Sequence, residues 1–119
     1  MVKNQVKIAI ASSDGIVVNS HFGRAKDFYI YIMEEDGHIV FLEKRSVEPV
    51  CEGGNHDDVR LGKNMSAISD CSYLLVSRIG NGAAFIAESF GIDCYEIPGI
   101  IEESVEQLVK FIKLKQLFQ

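Results

Sequence analysis

The stretch SYLLVSRIGNGAAFIAESFG, residues 72–91, decides the fold of this chain. Its first apolar run, residues 73–76, is short and continuous, which is typical of a buried strand in a parallel sheet. After Gly80-Asn81-Gly82, apolar residues recur at helical spacing until Gly91 stops the pattern. They are Ala83, Ile86, Ala87 and Phe90. A buried strand, a glycine turn and an amphipathic helix together predict one β–α unit.

The segments on either side continue this alternation. Downstream, residues 94–97 read as a strand that Pro98-Gly99 ends, and residues 101–112 place apolar side chains on one helical face. Acidic residues in the first turn of that helix and lysines near its end suit the helix dipole. Upstream, residues 57–69 are predicted to form a helix that Gly62 weakens.

The N-terminal part of the chain shows strand patterns instead. Residues 6–10 alternate, residues 16–18 form a short return strand, and two further strands cover 28–33 and 39–42. The turn at residues 34–37, which ends in Asp-Gly, predicts a hairpin between the last two strands. The order β-β-β-β-α-β-α-β-α predicts one α/β domain, residues 1–119, with a three-layer mixed sheet and helices on its faces.

Charge and cysteine content narrow the function classes. Acidic residues outnumber basic ones 17 to 12, and the net charge of −5 disfavours binding to nucleic acid. An odd number of cysteines and an N-terminus without a signal peptide predict a cytoplasmic protein with reduced thiols, which are open to metals. No segment approaches the roughly 20 apolar residues of a membrane helix, so no membrane association is expected.

The first candidate site is the loop with His21, Phe22, Gly23 and Arg24. It lies between two predicted strands, and Gly23 is expected to shape its turn with a positive φ. Neutral imidazole is a good ligand for iron and other borderline-soft metals, so His21 is a candidate metal ligand. The alternative is a solvated or hydrogen-bonded structural histidine.

The second candidate is the segment in which Cys51 and His56 flank Gly53 and Gly54. Glycines let the backbone fold tightly, so the thiol and the imidazole could face one point. The spacing is not that of a zinc finger, and no CxxC completes a tetrahedral set. An open coordination sphere would suit a cluster that brings its own sulfides and must leave again. The alternative is a flexible loop whose Cys51 and His56 never meet.

The third candidate is the turn Gly80-Asn81-Gly82. Ligands of open α/β sheets bind beyond the carboxyl ends of parallel strands, and N–H groups at a helix start can hold an anion. The turn is neither a Walker loop nor a complete GxGxxG, so a plain strand-to-helix turn is the alternative. Cys71 and Cys94 lie beside predicted strands and are interpreted as small core residues, with a role as cluster ligands as the alternative.

Taken together, these segments resemble a known family. The run from IAIAS at residues 8–12 through HFGRA at residues 21–25 is similar to the opening of the dinitrogenase iron–molybdenum cofactor biosynthesis family. That family includes NifX, the C-terminal part of NifB and the core of NafY. The segment 51–56, the turn 80–83 and Gly91-Ile92 also sit where members carry similar motifs, so the resemblance covers nearly the whole chain.

The resemblance implies a ribonuclease H-like fold with a mixed five-stranded sheet, and a carrier or insertion role instead of an enzymatic one. The cargo would be a metal–sulfur cluster, iron–molybdenum or related, which a monomer or weak dimer receives from a donor protein and passes to an acceptor. The family's cofactor-binding histidine matches His21 or the segment 51–56.

We expect both loops to converge, with His21, Cys51 and His56 as metal ligands. Arg24 and the turn at residues 80–83 would neutralise the charge of the cluster or of an attached acid. The expected cofactor-binding set is His21, Phe22, Gly23, Arg24, Cys51, Gly53, Gly54, His56, Gly80, Asn81 and Gly82.

Two other function classes stay open. A phosphoryl-transfer enzyme would need several carboxylates around two divalent metals, but the first strand carries none and Asp14 lies in a turn. A metal-free regulatory or interaction module would leave the histidines and cysteines incidental. In that case the replacement of His21 and Cys51 would leave partner binding unchanged.

Overall fold

The computed structural model describes residues 5–49, 51–52, 55–56 and 58–118. For residues 51, 52, 55, 56 and 58 it describes the backbone only. The strands are β1 (Val6–Ala11), β2 (Val17–Val18), β3 (Asp27–Met33), β4 (Ile39–Ser46), β5 (Cys51–Glu52), β6 (Asn55–His56), β7 (Tyr73–Val76), β8 (Asp93–Glu96) and β9 (Gly99–Ile100). The helices are α1 (Asp58–Ala67), α2 (Asn81–Ser89) and α3 (Ile101–Leu117), and a 3₁₀ turn covers Phe22–Arg24.

Five strands form the main sheet in the order β4-β3-β1-β7-β8. The pairs β1–β3 and β3–β4 are antiparallel, whereas β1–β7 and β7–β8 are parallel. This confirms the predicted α/β class and the mixed five-stranded sheet with helices on its faces. The ribonuclease H-like designation stays a prediction.

The hairpin between β3 and β4 forms where it was predicted, and Gly37 adopts a φ of 91° in its turn. Strand β4 continues to Ser46, beyond the predicted end at Leu42. The short return strand β2 also forms, but it pairs with β9 and not with the main sheet. That ribbon joins segments far apart in sequence, which no local pattern encodes.

Two hydrophobic clusters lie on opposite faces of the sheet because strand side chains alternate between faces. Leu74 of β7 belongs to the cluster that also contains Met65 of α1 and Ala87 of α2. The next residue, Leu75, belongs to the other cluster with Leu108 of α3. Helices α1 and α2 therefore cover one face and α3 covers the other. No helix of the described residues is long and apolar enough to cross a membrane.

Candidate functional site

The His21 loop is held beside the end of strand β7 by backbone hydrogen bonds. The N–H of Phe22 donates to the carbonyl oxygen of Arg78 at 2.9 Å, and the N–H of Ser77 donates to the carbonyl oxygen of Ser20 at 3.0 Å. His21 and Arg78 form an isolated parallel bridge. Because β7 leads directly into α2, this pairing brings the first candidate loop next to the third.

Phe22 anchors the 3₁₀ turn in the core. Its side chain is fully buried, and its ring centroid lies 5.6 Å from that of Phe28. The neighbouring side chains His21 and Arg24 are exposed. The expectation of a positive φ at Gly23 is wrong, because among the described glycines only residues 15, 37, 91 and 99 have one. A 3₁₀ turn uses right-handed backbone angles, so the loop needs no left-handed residue there.

The first and third candidate segments line one cleft of about 340 Å³. The first segment contributes His21, Gly23 and Arg24 to its lining, and the third contributes Gly80 and Gly82. Its remaining lining residues are Phe22, Leu61, Arg78, Ile79 and Ala83. Of the predicted set in these two segments, the turn residue Asn81 is exposed and is not among the lining residues.

Arg78 is the charged cleft residue that the sequence reasoning missed. Its side chain is exposed, and the residue lies between the end of β7 and the Gly80 turn. A basic residue directly between a buried strand and a glycine turn was the available signal. With Arg24, it places two guanidinium groups on the lining of the cleft.

The N-terminus of α2 opens toward this cleft. Gly80 is the N-cap residue and offers no side-chain cap, and the first helical bond runs from the N–H of Ala84 to its carbonyl oxygen at 2.9 Å. Uncapped N–H groups at a helix start favour a negative charge. Glu96 opposes the binding of a negative charge here, because its own carboxylate lies close by and its Oε2 accepts the N–H of Ile79 at 2.9 Å.

The second candidate segment folds as a small hairpin in which Cys51 is paired in register with His56. Cα atoms of β5 lie within 8 Å of Cα atoms in the Phe22–Arg24 turn, so the backbones of the two segments are neighbours. Gly53 and Gly54, and the side chains of Cys51 and His56, lie outside what the structure describes. Among the described residues, no group of three or more His, Cys, Asp or Glu side chains could hold a metal ion.

The surroundings of Cys71, Cys94 and Asp14 suit a structural role. Burial raises the pKa of the Cys71 thiol and that of the Cys94 thiol to about 12 each. Neither thiol is therefore a thiolate at neutral pH. Asp14 Oδ1 accepts the N–H groups of Ile16 and Val17, at 2.9 and 3.1 Å, and these bonds lower the pKa of Asp14. Its carboxylate stabilises its own turn.

The chain is similar to known proteins in sequence and in fold. The sequence model of the dinitrogenase iron–molybdenum cofactor family matches residues 4–111 of this chain. The FeMo cofactor biosynthesis protein NifB of Chlorobaculum tepidum is 31% identical over 112 residues, which cover 94% of this chain but 26% of that protein. Protein NifX of Sinorhizobium fredii is 32% identical over 114 residues, covering 91% of this chain and 71% of NifX. The NMR structure of a putative NifB protein from Thermotoga, 20% identical, shares the fold with a TM-score of 0.56 over 88% of both chains.

Proposed function

This chain belongs to the dinitrogenase iron–molybdenum cofactor family, and we propose that it binds a metal–sulfur cluster as cargo during cofactor assembly, storage or insertion. The observation that supports this most is the cleft in which an exposed imidazole, two guanidinium groups and an uncapped helix N-terminus surround one space. The cluster is cargo and not a resident cofactor, so a site with few ligands suits the task.

His21 is proposed as the ligand to an exposed metal of the cluster. Its side chain is exposed on the lining of the cleft, and an imidazole nitrogen suits iron. Cys51 and His56 are proposed to complete the set, because the backbone of β5 lies beside the 3₁₀ turn and pairs these two residues. A thiolate and two imidazoles would leave most cluster metals bound by their own sulfides.

Charge on the cluster is proposed to be balanced by Arg24, Arg78 and the start of α2. Sulfide clusters are anionic, and guanidinium groups and helix N-termini both favour anions. The attraction is moderate because the arginines are exposed and Glu96 adds a negative charge close by. Moderate attraction allows the cargo to leave again.

Delivery is proposed to occur between proteins in the cytoplasm. The net charge of −5 does not attract a free anion from a distance, so a donor protein would bring the cluster and an acceptor would take it. The prediction that the chain is not an enzyme agrees with its family. The chain spans about a quarter of the NifB relative, so that protein's activity is not carried over.

The proposal is tested by loading the anaerobic protein with extracted iron–molybdenum cofactor and measuring iron and molybdenum after gel filtration. Wild type is expected to retain both metals and the brown colour, and His21→Ala is expected to lose most of both. His38→Ala is the matched control, because His38 is an exposed histidine in the hairpin turn, away from the cleft. A wild type that elutes colourless and metal-free, or equal losses in both variants, would contradict the proposal.

A further inference from the structure

Gly80 and Gly82 line the His21 cleft, although the backbone does not require glycine at either position. Gly80 has a φ of −75° and a ψ of 160°, an extended conformation that any residue adopts. Gly82 lies in helix α2, and it is not among the described glycines with a positive φ. The left-handed conformation that usually explains a glycine is therefore absent from both residues.

Packing does not require these glycines either. A Cβ atom at Gly80 or Gly82 would have no heavy atom of the described residues within 4 Å, apart from its chain neighbours and the nearby backbone of α2. Gly15 differs, because a Cβ atom there would lie 2.7 Å from a ring carbon of Tyr29. Glycine also destabilises a helix relative to alanine, since it loses more backbone freedom on folding. Gly82 thus weakens α2 without improving the packing of the protein itself.

The position of Asn81 shows that the turn lacks side chains only where it lines the cleft. Asn81 lies between the two glycines and carries a side chain, but it is exposed and is not among the lining residues. No acidic residue is among the described residues of the lining, and the carboxylate of Glu96 accepts the N–H of Ile79. An anion in the cleft can therefore approach a stretch of backbone that no side chain covers.

We infer that Gly80 and Gly82 are specificity-determining residues of the cleft. The cargo occupies the space in which their side chains would lie, and it contacts the backbone of the turn directly. Glycine permits this close approach, because no Cβ atom keeps the backbone and the ligand apart. The inference rests on the proposed function, since the cargo is the proposed metal–sulfur cluster, and it adds which surface of that cluster the cleft accepts.

Direct contact with the backbone identifies the kind of cluster surface that fits. The first three N–H groups of α2 make no backbone hydrogen bond to a described residue, because the first helical bond starts at Ala84. Sulfide or oxide atoms of an anionic cluster accept such N–H groups at short range. A cluster enclosed in organic thiolates presents carbon and hydrogen atoms instead, and these keep its sulfides away from the backbone. The cleft therefore selects a cluster with a bare inorganic face.

The test measures how the cluster-free, full-length protein binds tetrathiomolybdate, a small anion whose surface is all sulfide, by isothermal titration calorimetry. Gly80→Ala and Gly82→Ala are each expected to raise the Kd about tenfold, the scale of one lost hydrogen bond to a charged group. Gly62→Ala is the matched control, because Gly62 lies in α1 and has the same open space around its Cβ position, but is not among the lining residues of the cleft. Its Kd should equal that of wild type.

Thermal denaturation of the same proteins separates binding from folding. All three variants should unfold no more than about 3 °C below wild type, since alanine suits a helix and is only slightly worse than glycine as an N-cap. A variant at Gly80 or Gly82 that unfolds well below wild type would show that the fold itself needs glycine, which overturns the inference.

Three binding results also overturn it: a wild type that does not bind tetrathiomolybdate, an unchanged Kd in Gly80→Ala or Gly82→Ala, or an equal rise in Gly62→Ala. The proposed function is decided separately, by retention of the iron–molybdenum cofactor in wild type and its loss in His21→Ala. A protein that passes that test while Gly82→Ala binds tetrathiomolybdate as wild type does has the function without this specificity.

Discussion

The guanidinium of Arg45 holds the carboxylate of Asp70 through two parallel hydrogen bonds, from Nη1 to Oδ1 at 2.7 Å and from Nη2 to Oδ2 at 3.0 Å. Lys7 Nζ donates to the same Oδ2 at 3.0 Å. Arg45 belongs to β4 and Lys7 to β1, so this acid ties two strands to the segment after α1. The hydrogen bonds from Arg45 hold the pKa of Asp70 well below its ordinary value.

Replacement of Asp70 by Asn should lower the free energy of unfolding by about 1 kcal/mol at pH 7, because the pair is partly exposed and screened by solvent. A carboxyl with a depressed pKa stabilises the fold above its unfolded value of about 4, and this contribution is lost as the pH falls toward the folded pKa. The difference between wild type and variant should therefore shrink below about pH 4. Urea denaturation at pH 7 and pH 3 measures it.

Glu88→Gln is the control for that experiment, since Glu88 is an exposed acid on α2. It should leave the free energy of unfolding within about 0.5 kcal/mol of wild type at both pH values. A loss in Asp70→Asn that is as large at pH 3 as at pH 7 would show that the carboxylate charge is not the cause.

Phe22→Ala should lower the free energy of unfolding by about 3–5 kcal/mol, because the ring is fully buried against Phe28 and its loss leaves a cavity. Phe85→Ala should cost less than about 0.5 kcal/mol, since its ring is mostly exposed. Chemical denaturation of both variants compares them. Similar losses in the two would mean that Phe22 does not anchor the turn that carries His21.

The regular part of the fold is predictable because its signals are local. The apolar run of β7, the helical spacing in α2 and the Asp36-Gly37 turn each act over a few residues. The pairing of Val17 with Ile100 is different, since it joins segments that are far apart in the sequence. Only tertiary packing selects such a partner, so the sequence pattern indicates the strand but not its neighbour.

For the candidate site as well, the sequence indicates which loops take part but not how they contact each other. The residue types at His21 and Gly80 indicate two candidate ligand-binding loops, and residues of both loops line the cleft. The role of Phe22 as an anchor depends on the buried ring of Phe28, and that of Arg78 depends on the backbone pairing beside His21. The pairing with Arg78 joins segments far apart in the sequence, and the contact with Phe28 forms only once the turn packs against β3. The prediction of a positive φ at Gly23 is wrong because the loop forms a 3₁₀ turn, which uses right-handed backbone angles.

Arg78→Glu should weaken the binding of an anionic sulfide in the cleft, whereas the backbone bond from Phe22 to its carbonyl should persist. With tetrathiomolybdate as the probe, we expect the Kd measured by isothermal titration calorimetry to rise about fivefold, the scale of one exposed charge interaction. Lys110→Glu makes the same charge change on α3, outside the cleft, and should leave the Kd within about twofold of wild type. Equal increases in both variants would mean that net charge alone is responsible.

The thiols of Cys71 and Cys94 should resist alkylation in the native protein. Their burial raises each pKa to about 12, so at pH 8 nearly all of both groups is protonated, and only a thiolate attacks iodoacetamide. Peptide mass spectrometry should find both cysteines unmodified in the folded protein and fully modified in urea. The same digest reports on Cys51, whose protection by bound cluster would support its proposed role as a ligand. Alkylation of Cys71 or Cys94 at the unfolded rate would contradict their assignment to the core and make them available as ligands.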